Sequence, residues 1–144
     1  MNSDGLTEYQ IALVEESFAE AAPRGAALAA RFYRRLAHNF PAAKAVFADF
    51  DEQVVQKRLL GALVLLVENL RTPEKLQPAL DLWGVYQRQH VVESSLYWAV
   101  GSTLLRTLAE FTGDLWGSEL EEAWSTAYTD ISQRLIASAE AATM

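Results

Sequence analysis

The sequence has no cysteine, only two histidines and four prolines, and fewer basic than acidic side chains. The missing cysteines exclude disulfides, thiolate catalysis, iron–sulfur clusters and cysteine-ligated zinc. Twelve basic and nineteen acidic residues give a net charge of −7. This balance argues against nonspecific nucleic-acid binding, which depends on neutralising phosphates. We therefore interpret the small basic cluster of Arg31, Arg34 and Arg35 as a solvated helix face.

Long hydrophobic runs are also absent. The most apolar stretch, Leu59–Val67, stops at Glu68, well short of the ~20 residues that a membrane-spanning helix needs. The polar start, Met1–Gly5, does not resemble a secretory leader. We expect one domain over residues 1–144, located in the cytoplasm.

Helical periodicity extends along the whole chain, and no segment alternates with a period of two residues. Turn and capping residues divide the pattern into about seven helices, so the predicted fold class is all-α. The first helix is predicted to begin with a Thr7–Gln10 capping box, the second has Pro23 in its first turn, and a third follows a corner at Asn39–Pro41 and runs through Phe47. Asp49 or Asp51 is predicted to cap a fourth helix that runs to about Leu70, and another helix is predicted over Gln77–His90. Ser94 and Gly113 are predicted to bound the next helix, and a Ser118–Glu121 capping box to begin the last one.

One stripe of the Gln77–His90 helix combines core-like and polar residues. Leu80, Trp83, Gln87 and His90 follow each other at helical spacing, which places an amide and an imidazole on the same face. An imidazole is a common metal ligand, so His90 is the candidate ligand for a metal cofactor. The alternative is a histidine that interacts favourably with the carbonyls of the helix end.

Three groups of motifs, in their order and spacing, resemble the single-domain bacterial globins over nearly the whole chain. The motifs are Phe32–Leu36 with Phe40–Pro41 and Val46–Phe47, then Tyr97–Leu105, then Ala123–Tyr128. The resemblance implies a globin-like fold around a haem-sized pocket. It also implies a non-covalent haem b and the binding of a diatomic gas: O2, NO or CO.

The resemblance further implies roles for single residues. Tyr33 matches the distal tyrosine, whose hydroxyl donates a hydrogen bond to bound oxygen, and Phe47 matches the phenylalanine that packs on the porphyrin. Glu52 or Gln53 matches the distal glutamine. The cofactor-contacting residues implied in this way are Tyr33, Phe47, Gln53, Gln56, Trp83, Gln87, His90 and Tyr97, with His90 as the metal ligand.

The register of the proximal helix is the main departure from the family. In an ungapped match, Gln87 falls where the family has its proximal histidine. His90 lies three residues later, ~4.5 Å further along the helix axis. Ligation by His90 therefore requires the helix to slide by nearly a turn, or the haem to lie closer to the helix end. Gln56 and Lys57 also fall where the family usually has apolar haem contacts.

Two functions remain open at this point. The first is a haem globin that binds a diatomic gas, which the retained Tyr33 and Phe47 favour. The second is a haem-free globin-fold sensor or interaction module, with or without an apolar ligand, which Gln87, Gln56 and Lys57 favour.

Catalysis and self-association are not determined by the sequence. The chain carries no motif of another enzyme class, and any NO or redox turnover would need an external reductase. Leu96, Trp98 and Leu115 could form an exposed apolar patch and a homodimer contact.

Overall fold

The computed structural model describes residues 6–46, 48, 50–78 and 95–141. Within these ranges the chain is helical and contains no strand, which confirms the all-α class. The helices are α1 (Glu8–Ala21), α2 (Gly25–Asn39), α3 (Pro41–Val46), α4 (Glu52–Glu68), α5 (Ser95–Thr112) and α6 (Ser118–Ala141), with short 3₁₀ turns at Ala22–Arg24, Pro73–Leu76 and Gly113–Leu115.

Two predicted helix starts are confirmed by their hydrogen bonds. The Thr7 hydroxyl accepts from the Gln10 backbone N–H, and the Gln10 side chain accepts from the Thr7 N–H, each at 3.1 Å. This reciprocal pair satisfies two donors that the start of α1 would otherwise leave unpaired. Asp51 caps α4, since its carboxylate accepts from Gln53 N–H at 2.8 Å and Val54 N–H at 3.4 Å.

Other predicted boundaries are wrong by a few residues. Pro23 lies in the 3₁₀ turn that precedes α2, because that turn forms before the chain enters the helix at Gly25. The helix expected to reach Leu70 ends at Glu68. The last helix already includes Ser118, and the Glu121 N–H donates to the Gly117 carbonyl at 2.9 Å. Gly117 thus takes the N-cap place, which glycine tolerates well.

The hydrophobic core lies mainly between α1, α2, α5 and α6. Trp124 of α6 is completely buried, and its indole N–H donates to the Ser17 hydroxyl of α1 at 2.9 Å. Ser17 in turn donates to the Val14 carbonyl at 3.0 Å. Burying an indole N–H without a partner would be costly, so this chain of bonds lets a large aromatic side chain fill the centre of the domain.

A glycine sets the distance between α5 and α6. A Cβ atom built on Gly101 would lie 2.5 Å from a ring carbon of Tyr128. No side chain larger than hydrogen fits there without a shift of the tyrosine ring. Gly113 ends α5 with φ +57°, a left-handed conformation that glycine adopts easily, so its predicted role as a helix end is confirmed.

Candidate functional site

The α2 helix contacts a different neighbouring helix on each of two flanks. On one flank, Arg35 donates to Thr107 at 3.2 Å and to Glu110 at 2.8 Å, both on α5. On the other, the backbone at Gly25 lies against Leu60 of α4, whose methyl carbons would be 3.3 Å from an added Cβ. The α2 helix is therefore packed between α4 and α5.

Tyr33 lies on the α4 flank of α2. At 3.6 residues per turn it is about 200° around the helix from Arg35, which contacts α5, and about 80° from Gly25, which contacts α4. It follows the buried Phe32 and is itself half-buried. A half-buried phenol at the edge of the core can offer its hydroxyl to a ligand held beside α4.

The α4 helix is only partly covered. Three of its aliphatic side chains are buried, Val55, Leu63 and Val67, and Val54 is 41% exposed. Its half-buried aliphatic residues are Leu59, Leu60, Ala62, Val64, Leu65 and Leu66. Leu59, Val64 and Leu66 also pack against the core. The apolar surface that the other residues leave open fits the face of a porphyrin, so on the α4 side the described residues suit haem.

The polar residues predicted for the distal side lie at the start of α4. Gln53 is exposed, and its backbone N–H bonds to the Asp51 cap. Gln56 is half-buried, and its amide donates to the Glu52 carboxylate at 3.2 Å. Lys57 is exposed. Gln53 and Gln56 stay predictions as cofactor contacts.

The other predicted contacts fall where the structure gives no side chain. Phe47, Trp83, Gln87 and His90 lie outside the described residues, as does almost all of the helix predicted over Gln77–His90. Tyr97 belongs to α5, but its side chain also lies outside them. Their roles therefore stay predictions.

The small number of histidines limits which residue can be the axial ligand of a haem iron. His38, one of only two histidines in the chain, is exposed in the last turn of α2. In the described ranges, no group of three or more His, Cys, Asp or Glu side chains could hold a metal ion. An imidazole ligand for a buried iron would thus have to come from His90.

Sequence reasoning missed the role of one member of the basic cluster. Arg34 is solvated as predicted, with 72% of its side chain exposed, but only 20% of the Arg35 side chain is exposed. Arg35 and Arg31 both pair with Glu110, at 2.8 and 3.2 Å. Their i, i+4 spacing on α2 was the available signal that both could reach one partner.

A cavity of about 240 Å³ lies elsewhere, between α1, the end of α4 and α6. Ile11, Leu66 and Ile131 contribute apolar walls, and Asn69 and Asp130 contribute polar ones. Of the predicted cofactor contacts whose side chains the structure describes, Tyr33, Gln53 and Gln56, none lines it. No helix in the described part of the chain is both long and apolar enough to cross a membrane.

Comparison with known proteins gives consistent matches. The family model for Globin matches residues 30–135. Leghemoglobin 3 of Sesbania rostrata is 31% identical over 142 residues, which cover 89% of this chain and 94% of that protein. A flavohemoprotein of Rhodopirellula baltica is 31% identical over 125 residues, which cover 85% of this chain but 31% of that protein.

A solved structure supports the same fold. The bacterial globin from Campylobacter jejuni superposes with a TM-score of 0.82 at 20% identity, covering 95% of this chain and 99% of that one. The present chain spans about a third of the length of the flavohemoproteins that it matches.

Proposed function

Because the chain belongs to the globin family, we propose that it holds a non-covalent haem b, with His90 as axial ligand and Tyr33 on the distal side. Membership of the family implies that the protein binds haem and a diatomic gas such as O2 or NO. The observation that supports the finer proposal best is the position of Tyr33, half-buried on the flank of α2 that faces the partly covered α4.

The assignment of His90 rests on donor chemistry. A haem iron needs an axial donor, and the neutral imidazole is the usual one in globins. The amide nitrogen of Gln87 is a poor donor because its lone pair is delocalised into the carbonyl, and His38 is exposed on α2. We propose that the proximal helix is displaced along its axis relative to the ungapped family match, so that His90 takes the ligand position.

Tyr33 would act as a hydrogen-bond donor. Haem supplies an iron centre that binds a diatomic gas, and the protein supplies the polar group next to that gas. A phenol hydroxyl is both donor and acceptor, and partial burial strengthens its hydrogen bonds by lowering the local dielectric. We propose that this contact slows the release of O2.

Oxygen binding, with NO or redox turnover as a further activity, is the function we favour. Turnover would need an external reductase. We also propose that residues 1–144 form one globin domain and that the protein acts in the cytoplasm.

Haemin titration with matched variants tests the axial ligand. We expect wild-type protein to bind one haem per chain with a sharp Soret band, and acid extraction to remove that haem, since the attachment is non-covalent. His90→Ala should lose the band or shift it strongly, whereas Gln87→Ala and His38→Ala should keep it.

Two outcomes would contradict the proposal. Loss of the band in Gln87→Ala but not in His90→Ala would assign the ligand to the ungapped position. Absence of any Soret shift in wild-type protein would support the haem-free sensor instead.

A further inference from the structure

An aromatic side chain stands exposed where α5 begins. Trp98 is 69% exposed, although tryptophan is highly buried on average. Its ring meets that of Phe40, the residue that ends α2, edge to face with centroids 5.9 Å apart and an interplanar angle of 87°. This contact supports the exposed indole from one side, which reduces the entropy lost when a partner binds it.

Cationic side chains lie along the same pair of helices. Arg31, Arg34 and His38 follow each other at helical spacing on the exposed side of α2. On α5, the exposed Arg106 lies eight residues after Trp98, about 80° around the helix and also on its exposed side. We name Arg31, Arg34, His38, Trp98 and Arg106 the α2–α5 surface.

The antiparallel packing of α2 and α5 keeps these residues together. Phe40 at the end of α2 meets Trp98 near the start of α5, and Arg31 in the middle of α2 meets Glu110 near the end of α5. The indole therefore lies at one end of the surface and the arginines extend from it along both helices. Tryptophan and arginine are the residues most enriched at the energetic centres of protein interfaces.

Nearby carboxylates neutralise this surface only in part. Glu110 pairs with Arg31, and Glu52 lies 4.0 Å from Arg34. Among the residues that the structure describes, Arg106 has no carboxylate within salt-bridge distance. Cations are thus available to a partner that brings its own carboxylates.

The opposite charge prevails on α1 and α6, which pack together. The α1 helix contains four glutamates and no basic residue. The α6 helix contains five acidic residues and one basic residue, Arg134. With a net charge of −7 for the whole chain, an acidic protein is repelled by most of this molecule and attracted locally by the α2–α5 surface.

We propose that the α2–α5 surface docks an acidic electron-donor protein, with its carboxylates on Arg34 and Arg106 and an apolar patch over Trp98. The redox nature of the partner rests on the proposed function, whereas its charge follows from the surface itself. In the docked pair a donor that gives up one electron would reduce the haem that His90 is proposed to hold.

Oxidised flavodoxin, a small acidic electron carrier, is the probe for the test. Its binding to the haem-loaded protein is measured by calorimetry at low and at high ionic strength. We expect binding that weakens as salt is added, because it depends on opposite charges. The double variant Arg34→Glu/Arg106→Glu should weaken it by about tenfold or more, and Trp98→Ala by about tenfold.

A matched control reverses charge on the other side of the molecule. Glu20 and Glu122 are exposed on α1 and α6 and have no side-chain hydrogen bond within the described ranges. Glu20→Lys/Glu122→Lys should not weaken binding. The double variant Arg34→Gln/Arg106→Gln, which introduces no acid, should weaken it less than the glutamate pair does.

Stopped-flow reduction of the haem by reduced flavodoxin gives a second measurement. The second-order rate constant should fall in the same variants that lose binding, while direct reduction by dithionite should stay at the wild-type rate. Equal loss of binding in both charge-reversal pairs, or wild-type binding that strengthens with salt, would overturn the proposal.

Two further outcomes separate this proposal from others. Sedimentation that shows self-association abolished by Arg34→Glu/Arg106→Glu, with no flavodoxin binding, would assign the surface to a second copy of the chain and overturn the proposal. Failure to bind flavodoxin in protein with a normal Soret band refutes the docking surface alone. Absence of the Soret band refutes the proposed function and, with it, the redox role of the partner.

Discussion

The side chains around Trp124 are covered completely by other protein groups, whereas many side chains of α4 are covered only in part. Around Trp124 the protein covers itself completely, and the buried indole and the Ser17 hydroxyl both find partners. Along α4, six aliphatic residues stay half-buried. Leu59, Val64 and Leu66 also pack against the core, whereas the other three leave apolar surface that a non-protein molecule can contact. The comparison teaches that one domain can combine a fully covered core with a helix that is covered only in part, and the second is where we propose that the cofactor lies.

The largest expected effect lies in the core. Trp124→Ala should reduce the free energy of unfolding by about 3–5 kcal/mol, because it removes a completely buried indole and leaves a cavity. Urea unfolding followed by circular dichroism measures this. Trp98→Ala is the control: with an exposed indole, it should change stability by less than about 0.5 kcal/mol. Equal effects at both sites would refute the assignment of the core.

Substitution of one glycine in α5 and one in α4 compares a closely packed helix with a partly covered one. Gly101→Ala should cost about 1–3 kcal/mol, because the new methyl group collides with the Tyr128 ring. A Cβ atom on Gly61 of α4 meets nothing within 4 Å, so Gly61→Ala should stabilise haem-free protein by about 0.5–1 kcal/mol through helix propensity.

Thermal unfolding of the two variants, both measured without haem, tests this pair. Destabilisation by Gly61→Ala in haem-free protein would mean that this part of α4 is already covered.

Removal of the Tyr33 hydroxyl should change the rate at which O2 dissociates. Tyr33→Phe keeps the ring and removes the donor, so the rate of O2 dissociation should rise by about tenfold, the equivalent of ~1.4 kcal/mol for one hydrogen bond. Stopped-flow displacement of O2 by CO measures the rate, and Tyr9→Phe provides a control in an exposed tyrosine of α1 to which no distal role is assigned. An unchanged rate in Tyr33→Phe would remove Tyr33 from the site.

The smallest effect on stability is expected from the exposed hydrogen bond between Tyr9 of α1 and Glu119 of α6. The Tyr9 hydroxyl donates to the Glu119 carboxylate at 2.7 Å, and this hydrogen bond, aided by the nearby negative charge, raises the pKa of Tyr9 above its usual 10.0. The pKa of Tyr9 is therefore higher in the folded protein than in the unfolded protein. The small stabilisation of the fold by this hydrogen bond is complete below about pH 10 and is lost as the pH rises through the folded pKa.

Ultraviolet titration of the tyrosines tests the direction of this shift. Glu119→Gln should bring the ionisation of Tyr9 back toward lower pH, and Tyr9→Phe should remove that ionisation from the titration. An identical titration in wild type and Glu119→Gln would show that the contact is absent in solution.

Local signals in the sequence were sufficient for much of the fold. The Thr7–Gln10 capping box depends on residues three apart, and the helix end at Gly113 depends on a single glycine, so both could be predicted. The bonds from Arg35 to Thr107 and Glu110 join residues 72 and 75 positions apart. No local pattern contains such pairs, because they depend on how α2 packs against α5.

The candidate site was harder to predict from the sequence, because it too depends on how the helices pack. The distal role predicted for Tyr33 rests on a motif within α2, and it stays a prediction. The choice between Gln87 and His90 depends on how far one helix slides against the rest of the domain. That displacement is set by packing and by the length of the preceding corner, neither of which the spacing of residues on the helix can determine.

Resonance Raman spectroscopy of the ferrous, gas-free protein tests the axial ligand most directly. An iron–imidazole stretching band that shifts to lower frequency when all histidines carry ¹⁵N, and that persists in His38→Ala, is the result we predict for ligation by His90. A spectrum with no band sensitive to labelled histidine would contradict the account.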